Sequence, residues 1–307
     1  MTKIFIDGSH GTTGLRIANR LAQRHDLELI RLTEENRKDP AARADAINSA
    51  DVVFLCLPDP AAIEAVAMAE NPNTKIIDTS TAHRVNPDWA YGMPELKGQL
   101  DAIKNSTRIA NPGCHASGFI ALVAPLVQEG LIDPNTALSC FSLTGYSGGG
   151  KQMIAQYEDE SRSVLYKAPR QYALTQQHKH LKEMQKLCGL DTSPIFCPIV
   201  ADFYSGMEVT VPLFVHQLKG NMAQLKELYK TYYQGGLIHY TDETDADGML
   251  SANAWANRDD MSITVQGNEE RMILTARFDN LGKGASGAAI QNMNILMGFD
   301  QATGLNV

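Results

Sequence analysis

The chain has 307 residues, of which 44% are hydrophobic, and a formal net charge of -8. This length allows about two domains of roughly 150 residues each. The negative charge, without any Lys/Arg cluster interleaved with aromatic residues, argues against nucleic acid as a partner. No apolar run approaches the ~18 residues of a membrane span, and the first residues read as a strand, so we expect a cytoplasmic protein with no membrane partner.

The first third of the chain predicts strands that alternate with helices. The predicted strands are KIFIDG, LELIRL, DVVFLCLP, TKIIDTS and TRIANPG, and the helices between them include TTGLRIANRLAQRH, PAARADAINSA and PAAIEAVAMAE. Apolar strands separated by amphipathic helices are typical of a parallel sheet with helices on both faces. We therefore predict an α/β fold whose first domain, residues 1–113, is a Rossmann-type doubly wound sheet.

The pattern changes after Gly113, where a long apolar helix is followed by longer strands such as SGMEVTVPLFVHQL and RMILTARFDN. This predicts an α+β domain over residues 114–283, with a mixed or antiparallel sheet and a catalytic and oligomerisation role. The segment 284–307 is rich in Gly and Ala and then helical. We expect this last helix to return to the first domain.

A glycine-rich turn follows the first strand, in the sequence IDGSHGTTG. Gly8, Gly11 and Gly14 allow a tight turn and a close approach of backbone to a pyrophosphate, and Thr12 and Thr13 begin the next helix. The spacing is G-x-x-G-x-x-G rather than G-x-G-x-x-G, and a turn that serves packing alone is the alternative. We predict a dinucleotide site here.

The end of the second strand bears on the choice of dinucleotide. Leu32 and Thr33 occupy the position where NAD-binding proteins carry an acidic residue, and Arg37 and Lys38 follow. Two cations suit the 2′-phosphate of NADP, although an exposed helix start would look the same. We predict NADP, with Arg37 as a contact.

Five cysteines are scattered through the chain without a CxxC pair, which argues against disulfides and structural zinc. Only Cys114 invites chemistry, because it follows Asn111-Pro112-Gly113 and opens a helix. A helix N-terminus stabilises a thiolate, and the nearby backbone N–H groups can hold an oxyanion. We predict that Cys114 is a nucleophile; a small buried thiol is the alternative.

Two histidines, His178 and His180, lie at the start of an amphipathic segment, HKHLKEM. A cysteine nucleophile needs an acid/base partner that titrates near neutrality. We predict His180 in that role rather than His115, because adjacent helical residues do not face each other. A His-x-His pair also suits metals, but no third ligand follows at a telling distance, so we predict no metal.

Two further segments carry polar residues suited to ligands. The turn TGYSGGGK, residues 144–151, contains Ser147, Gly148 and Lys151, which suit an anion or a nicotinamide, although loop flexibility also explains the glycines. The segment DTSTAHR puts Ser80 and Arg84 after the fourth strand, at the edge where open α/β sheets bind ligands. Arg84 suits a substrate carboxylate.

With these motifs the chain resembles the short-form N-acetyl-gamma-glutamyl-phosphate reductase family and, more distantly, aspartate-semialdehyde dehydrogenases. The resemblance covers nearly the whole chain, through GSHGTTG, DTSTAHR, NPGC, TGYSGGGK, HKHLKEM and NLGKGASGAAIQNMN. It implies an NADPH-dependent reductive dephosphorylation of N-acetylglutamyl 5-phosphate to the 5-semialdehyde, a step of arginine biosynthesis. Cys114 would form a thioacyl intermediate and His180 would act as acid/base.

The resemblance also completes the expected site. Gly284 matches a segment near the cofactor, and a homodimer or homotetramer is expected. The expected substrate-binding residues are Arg84, Asn111, Ser147, Lys151 and His178. Lys182 stands where the family usually has proline, which affects the entry into the helix rather than the identity of the base.

Three other functions fit parts of the pattern. The same chemistry on another acyl phosphate, such as aspartyl phosphate or a carrier-bound aminoadipate, differs only in contacts that the sequence does not locate. A non-catalytic NADP-binding regulator would not need Cys114 and His180 together. A non-phosphorylating aldehyde dehydrogenase would normally be a longer chain and would not depend on phosphate.

Overall fold

Two structural units make up the chain, and the computed structural model describes all 307 residues. Unit 1 comprises Met1–Pro112 and Ala285–Leu305, whereas unit 2 comprises Gly113–Gly284 and Asn306–Val307. Residues 285–305 therefore belong to the same unit as the first strands. None of the helices combines the length and the apolar character needed to cross a bilayer.

Unit 1 is built on a six-stranded, fully parallel sheet in the order β2-β1-β3-β4-β6-β5. Its strands are β1 (Thr2–Asp7), β2 (Leu27–Ile30), β3 (Val52–Leu55), β4 (Lys75–Asp78), β5 (Ala90–Tyr91) and β6 (Arg108–Ala110). The helices up to this point are α1 (Thr12–Leu21), α2 (Pro40–Ser49), α3 (Asp59–Ala67) and α4 (Gln99–Asn105). The five strands expected from the sequence are present, and the two-residue β5 was not anticipated.

Both faces of this sheet are covered, because neighbouring residues of a strand point to opposite sides. Ile4 and Phe54 belong to an apolar cluster that includes α1, whereas Phe5 and Val53 belong to a second cluster that includes α2 and α3. All four residues of β3 are buried. A central parallel strand packed on both sides accounts for this uninterrupted apolar run.

Unit 2 contains a seven-stranded mixed sheet in the order β11-β12-β13-β10-β7-β9-β8. Its strands are β7 (Ser139–Gly145), β8 (Arg170–Gln171), β9 (Ile195–Ala201), β10 (Met207–Phe214), β11 (Ile238–Tyr240), β12 (Met261–Gly267) and β13 (Arg271–Phe278). The pairs β7–β9 and β11–β12 are parallel, and the others are antiparallel. The predicted fold class, a doubly wound parallel sheet with an α+β domain, is confirmed.

The helices of unit 2 are α5 (Cys114–Gln128), α6 (Gly150–Glu158), α7 (Leu181–Cys188) and α8 (Met222–Tyr232). After a π-helical turn, Gly282–Ser286, the chain forms α9 (Gly287–Met297), which packs in unit 1. Helix α5 lies close against the mixed sheet: a Cβ on Gly118 would be 2.5 Å from Val209 and 2.9 Å from Phe278. Helix α7 begins at Leu181, later than the sequence indicated.

The other face of the mixed sheet exposes large apolar side chains. They are Phe141, Ile195, Phe214 and Ile273, which are 46%, 63%, 52% and 47% exposed. We call this surface the outer sheet face. Its residues alternate with buried ones along β7, β9, β10 and β13, as the strand period requires.

Candidate active site

The turn between β1 and α1 requires glycine at two positions. Gly8 has φ of 85°, and a Cβ there would lie 2.3 Å from the carbonyl oxygen of Cys56. A Cβ on Gly14 would lie 2.4 Å from the carbonyl oxygen of Gly8. Gly11 is the N-cap residue of α1, and a Cβ there would meet nothing closer than 3.5 Å. The turn thus packs tightly against the protein at Gly8 and Gly14, whereas the backbone at Gly11, just before the helix, has more space around it.

This turn forms one wall of a cavity of about 690 Å³ in unit 1. Gly8 and Gly11 line the cavity together with Arg37 and Lys38 from the segment after β2. The size suits part of a dinucleotide, and the amino end of α1 favours a phosphate. Of the other residues that the sequence singled out here, Thr12 and Thr13 begin α1 and Gly14 follows them, outside the lining of the cavity.

A buried ion pair that the sequence reading missed lies at the base of the turn. Nε and Nη2 of Arg43 donate to Oδ2 of Asp7 at 3.0 and 2.9 Å, and both residues are buried. Burial raises the pKa of Asp7, while Arg43 opposes that change. Asp7 ends β1 and Arg43 lies in α2, so the pair ties the strand before the turn to a neighbouring helix. Only their spatial proximity reveals this pair.

At the cavity rim Arg37 is paired with an acidic side chain. Its Nε donates to Oε1 of Glu34 at 2.6 Å, and Oε2 of Glu34 lies 3.4 Å from Nε2 of His10. Glu34 is exposed, and its pKa is lowered chiefly by the hydrogen bond from Arg37. The carboxylate of Glu34 therefore pairs with the guanidinium of Arg37 and lies beside the ring of His10.

Ser80 and Arg84 lie at the carboxyl edge of the unit 1 sheet. Ser80 is buried, and its hydroxyl donates to Oδ2 of Asp78 at 2.7 Å. Arg84 is half-buried and donates to the carbonyl oxygens of Asn111 and Thr79, each at 2.9 Å. Both side chains thus brace the ends of β4 and β6.

Asn111 is buried, and both polar atoms of its amide are engaged. Its Nδ2 donates to the carbonyl oxygen of Ala285 at 3.1 Å, and its Oδ1 accepts from Nδ2 of Asn292 at 3.3 Å. Asn292 also donates to the carbonyl oxygen of Gly92 at 2.9 Å. The amide of Asn111 therefore holds the segment before the cysteine to α9, which the sequence did not indicate.

In unit 2, Cys114 is the first residue of α5, as the sequence predicted. The preceding Gly113 donates its N–H to Oε1 of Glu183 at 2.8 Å, and Glu183 is only 1% exposed. A Cβ on Gly284 would lie 3.0 Å from Cβ of Cys114. A carboxylate from α7 thus fixes the backbone before the thiol, and a glycine leaves space beside it.

His178 and His180 lie together before α7. Nδ1 of His178 accepts from the backbone N–H of His180 at 3.2 Å, and their ring centroids are 4.7 Å apart. His180 is buried and occupies the N-cap position of α7. Burial and the charge of Lys179 lower the pKa of His178 to about 4, so this ring is neutral near pH 7.

His115 lies in the same cluster, with its ring 5.6 Å from that of His180 and 5.8 Å from that of His178. It is 4% exposed, and burial lowers its pKa to about 3. Its ring nitrogens contact Ser142 and Tyr172, at 2.6 and 2.7 Å. The sequence reading missed both partners, since they lie on distant segments.

The Gly-rich turn adopts a 3₁₀ helix, Tyr146–Gly149, after β7. Ser147 is buried and accepts from Nδ2 of Asn280 at 3.0 Å. A Cβ on Gly148 would be 3.4 Å from that same nitrogen, so this glycine also packs on Asn280. Lys151 is exposed in the first turn of α6. The structure thus gathers Cys114, the three histidines and Gly284 in one unit and the predicted phosphate turn in the other.

Two family profiles match the chain. One, described as the NAD binding domain of semialdehyde dehydrogenase, matches residues 3–106, and the other, its dimerisation domain, matches residues 114–280. Among curated proteins, N-acetyl-gamma-glutamyl-phosphate reductase of Brucella ovis is 47% identical over 306 residues, which span 96% of this chain and 99% of that protein. The protein of the same name from Brucella canis is equally similar, with the same coverage.

Solved structures with the same fold share little sequence with this chain. Aspartate semialdehyde dehydrogenase II from Vibrio cholerae, complexed with ASA, superimposes with a TM-score of 0.72 at 15% identity, over 97% of this chain and 98% of that one. The enzyme from Candida albicans, solved with NADP, gives 0.69 at 16% identity over 97% and 98%. These likenesses establish the fold, and the profiles indicate a nicotinamide cofactor and an oligomer.

Proposed function

We propose, from the premise that this chain belongs to the N-acetyl-gamma-glutamyl-phosphate reductase family of semialdehyde dehydrogenases, that it reduces N-acetylglutamyl 5-phosphate to the 5-semialdehyde with NADPH, in arginine biosynthesis. The observation that carries the proposal is the thiol of Cys114 at the start of α5, in the same unit as the histidine cluster of His115, His178 and His180. A thiol and an imidazole are the two groups that acyl transfer requires.

The cavity in unit 1 fits the cofactor. Gly8 tolerates no side chain, and the amino end of α1 offers N–H groups to a pyrophosphate. We assign Gly8 and Gly11 to the pyrophosphate and Arg37 to the 2′-phosphate, which makes the cofactor NADP. When bound, NADPH supplies the hydride that reduces the acyl group.

The first chemical step is attack on the acyl phosphate. The thiolate of Cys114 adds to the acyl carbon, the carbon–oxygen bond to phosphate breaks, and phosphate leaves as a thioester forms. The N–H groups in the first turn of α5 favour negative charge on both the thiolate and the acyl oxygen. Glu183 assists by fixing Gly113, so the thiol is presented in one position.

We assign His180 to proton transfer. It gives a proton to the leaving phosphate. After reduction of the thioester, the oxyanion re-forms a carbonyl as the carbon–sulfur bond breaks, the aldehyde leaves, Cys114 returns to the thiolate and His180 regains its proton from solvent. His115 and His178 are neutral near pH 7, and His180 is assigned to the proton on the family resemblance. His178 orients it through the hydrogen bond to its backbone.

Further residues are assigned to the substrate and to the cofactor. Arg84, Asn111, Ser147 and Lys151 are assigned to the substrate on the family resemblance, and Lys151 has the exposed cation that a phosphate favours. Ser80, Gly148 and Gly284 are assigned to the cofactor side on the same basis. We further propose a homodimer or homotetramer in the cytoplasm, with the outer sheet face as the contact.

A panel of aldehydes tests the substrate. The purified protein is given NADP, phosphate and one of N-acetylglutamate semialdehyde, aspartate semialdehyde or a simple aliphatic aldehyde, and NADPH formation is followed. We expect turnover with the first compound, and only with phosphate present. Preference for aspartate semialdehyde would move the substrate, turnover without phosphate would indicate a hydrolytic dehydrogenase, and NADP binding without any turnover would indicate a regulator.

A further inference from the structure

Asp279 directly follows β13 and is 0% exposed, yet the reaction proposed above gives it no role. Its Oδ2 accepts the backbone N–H of Asn257 at 2.6 Å, and its Oδ1 accepts that of Leu281 at 2.8 Å. Because both donors are backbone N–H groups, the direction of each hydrogen bond is fixed. Loss of one partner from a buried hydrogen bond is destabilising, so this carboxyl group joins two segments of the chain firmly.

The main chain of Asp279 also begins the π-helical turn, Gly282–Ser286. Its carbonyl oxygen accepts the N–H of Gly282 and the N–H of Gly284, each at 3.0 Å. The bond from Gly284 has the i→i+5 spacing of a π-helix, whereas an α-helix would use the N–H of Lys283. The π-helix is rare and occurs mostly as single turns, so this register requires contacts that select it.

Two contacts of the buried carboxyl group select the π register. The bond to Leu281 holds the chain after β13 in a tight turn, since an Asp side chain readily accepts the N–H two residues on. The bond to Asn257 anchors that turn to a second segment, against which Gly282 packs, because a Cβ there would collide with the carbonyl oxygen of Arg258. Nδ2 of Asn306 donates to the carbonyl oxygen of Asn257 at 2.7 Å, so the anchor is itself fixed.

The register of this turn decides which residue lies beside the proposed nucleophile. A Cβ on Gly284 would lie 3.0 Å from Cβ of Cys114, so one of the two groups would have to shift. The neighbours of Gly284 are Lys283 and Ala285, and both carry a Cβ. A shift of the turn by one residue would therefore bring a larger residue against Cys114.

We propose that Asp279 is a positioning residue of the active site, whose carboxyl group holds the π register that keeps Gly284 against Cys114. The inference deepens the proposed function and rests on Cys114 as its nucleophile. In this arrangement Asp279 acts through Gly284. Its loss should therefore reproduce the effect of a side chain at position 284.

A double-mutant cycle tests whether Asp279 acts through Gly284. Asp279→Asn leaves one acceptor oxygen and puts an NH₂ group against a backbone N–H, so the turn loses a bond that selects its register. Asp279→Asn and Gly284→Ala should each lower kcat/KM about tenfold, because each displaces Cys114 by a fraction of an ångström. The double variant should also lose about tenfold, whereas independent effects would multiply to about a hundredfold.

Alkylation of Cys114 by iodoacetamide gives a second measurement that needs no substrate. The rate is taken on the pH plateau where the thiol is fully ionised, so that it reports access to the sulfur. Mass spectrometry of the peptide that contains Cys114 separates it from the other four cysteines. We expect each single variant to slow alkylation severalfold and the double variant to slow it no further.

Asp159→Asn is the matched control, because Oδ1 of Asp159 also accepts the N–H two residues on, from Ser161 at 2.8 Å. It should leave both rates unchanged and add nothing to the effect of Gly284→Ala. If Asp279→Asn does not fold, Asp279→Ser replaces it in the cycle. One hydroxyl oxygen then stands in for two carboxyl oxygens, so the turn is held by a single bond.

Losses that multiply in the double variant, in turnover or in alkylation, would overturn the proposal, since Asp279 would then act independently of Gly284. A folded Asp279→Asn protein with wild-type rates would overturn it as well. The failure of the proposed reaction gives a different result. Coupled effects on alkylation in a protein without turnover would support the positioning role of Asp279 and contradict the reaction.

Discussion

At the scale of single residues, the position of Cys114 was predictable from the sequence, whereas its surroundings were not. A cysteine after Asn-Pro-Gly at the start of an apolar helix indicates a nucleophile through local chain geometry alone. Glu183 contacts Gly113, and Ser142 and Tyr172 contact His115. Each of these contacts joins segments that are distant in the chain. Such contacts depend on how α7 and the mixed sheet pack, and no periodicity encodes them.

The prediction for His115 was limited in the same way, by contacts that the sequence does not indicate. Adjacent residues on a helix do not face each other, which favoured His180 as the base and gave His115 no role. The structure places all three histidine rings within 6 Å of one another by centroid distance. Neither proximity nor burial assigns the base, because His115 and His180 are both buried.

The buried imidazole of His115 predicts a pH-dependent stability. Its pKa is lowered to about 3 in the folded protein from an ordinary 6.5. Between these two pH values the ring binds a proton in the unfolded chain but not in the folded protein. Stability is therefore complete above pH 6.5 and declines as the pH falls through that value, by up to about 1.4 kcal/mol per pH unit. Urea unfolding should show a shallower pH dependence for His115→Gln than for the wild type. Parallel curves would contradict the assigned neutral ring.

Arg37 predicts the cofactor preference. Its guanidinium borders the cavity in unit 1, and a charge-assisted hydrogen bond is worth about 1.5–3 kcal/mol. Arg37→Ser should weaken NADP binding about tenfold or more and leave NAD binding unchanged, as measured by fluorescence titration. Lys104→Ala, which removes an exposed cation from α4, is the control for net charge.

Glu34 gives the complementary test, because it neutralises Arg37 in the structure. Glu34→Gln should strengthen NADP binding relative to NAD. Equal effects on both dinucleotides, in either variant, would place the 2′-phosphate elsewhere.

At the scale of elements, the alternating strands and helices of unit 1 were predictable because a parallel sheet enforces a regular pattern. The mixed sheet was less predictable. The sequence indicates most of its strands, but their order, β11-β12-β13-β10-β7-β9-β8, depends on pairing between distant segments. The late start of α7 has a local reason. His180 is at the N-cap position and makes no side-chain capping hydrogen bond, so no preferred capping residue marks this helix start in the sequence.

The π-helical turn before α9 leaves little space beside Cys114, so we expect activity to be sensitive to a larger residue there. Gly284 lies where a Cβ would be 3.0 Å from Cys114 and 3.1 Å from Phe278, so Gly284→Ala must displace one of these side chains. Displacement of a nucleophile by a fraction of an ångström should lower kcat/KM about tenfold, with little change in thermal stability. Gly220→Ala is the control, because its nearest neighbour is the flexible end of Gln224. Equal activities of the two variants would show that Cys114 is not confined there.

At the scale of the whole molecule, the outer sheet face is the contact between subunits that we propose. Phe141 and Ile273 are exposed on the two strands that flank the central strand β10, and large exposed apolar side chains favour burial against another chain. The double substitution Phe141→Glu and Ile273→Glu should convert the oligomer to monomers in light scattering. Val164→Glu, at an exposed apolar residue outside the strands, should not. An unchanged mass for the double variant would place the contact elsewhere.

The most direct test of the account is NADP reduction by wild type and Cys114→Ser with N-acetylglutamate semialdehyde, each with and without phosphate. A weaker nucleophile at an otherwise intact site should lower turnover by orders of magnitude while NADP binding stays unchanged. We expect phosphate-dependent turnover in the wild type alone. Comparable turnover by Cys114→Ser would contradict it, since the thiol would then not form the acyl bond.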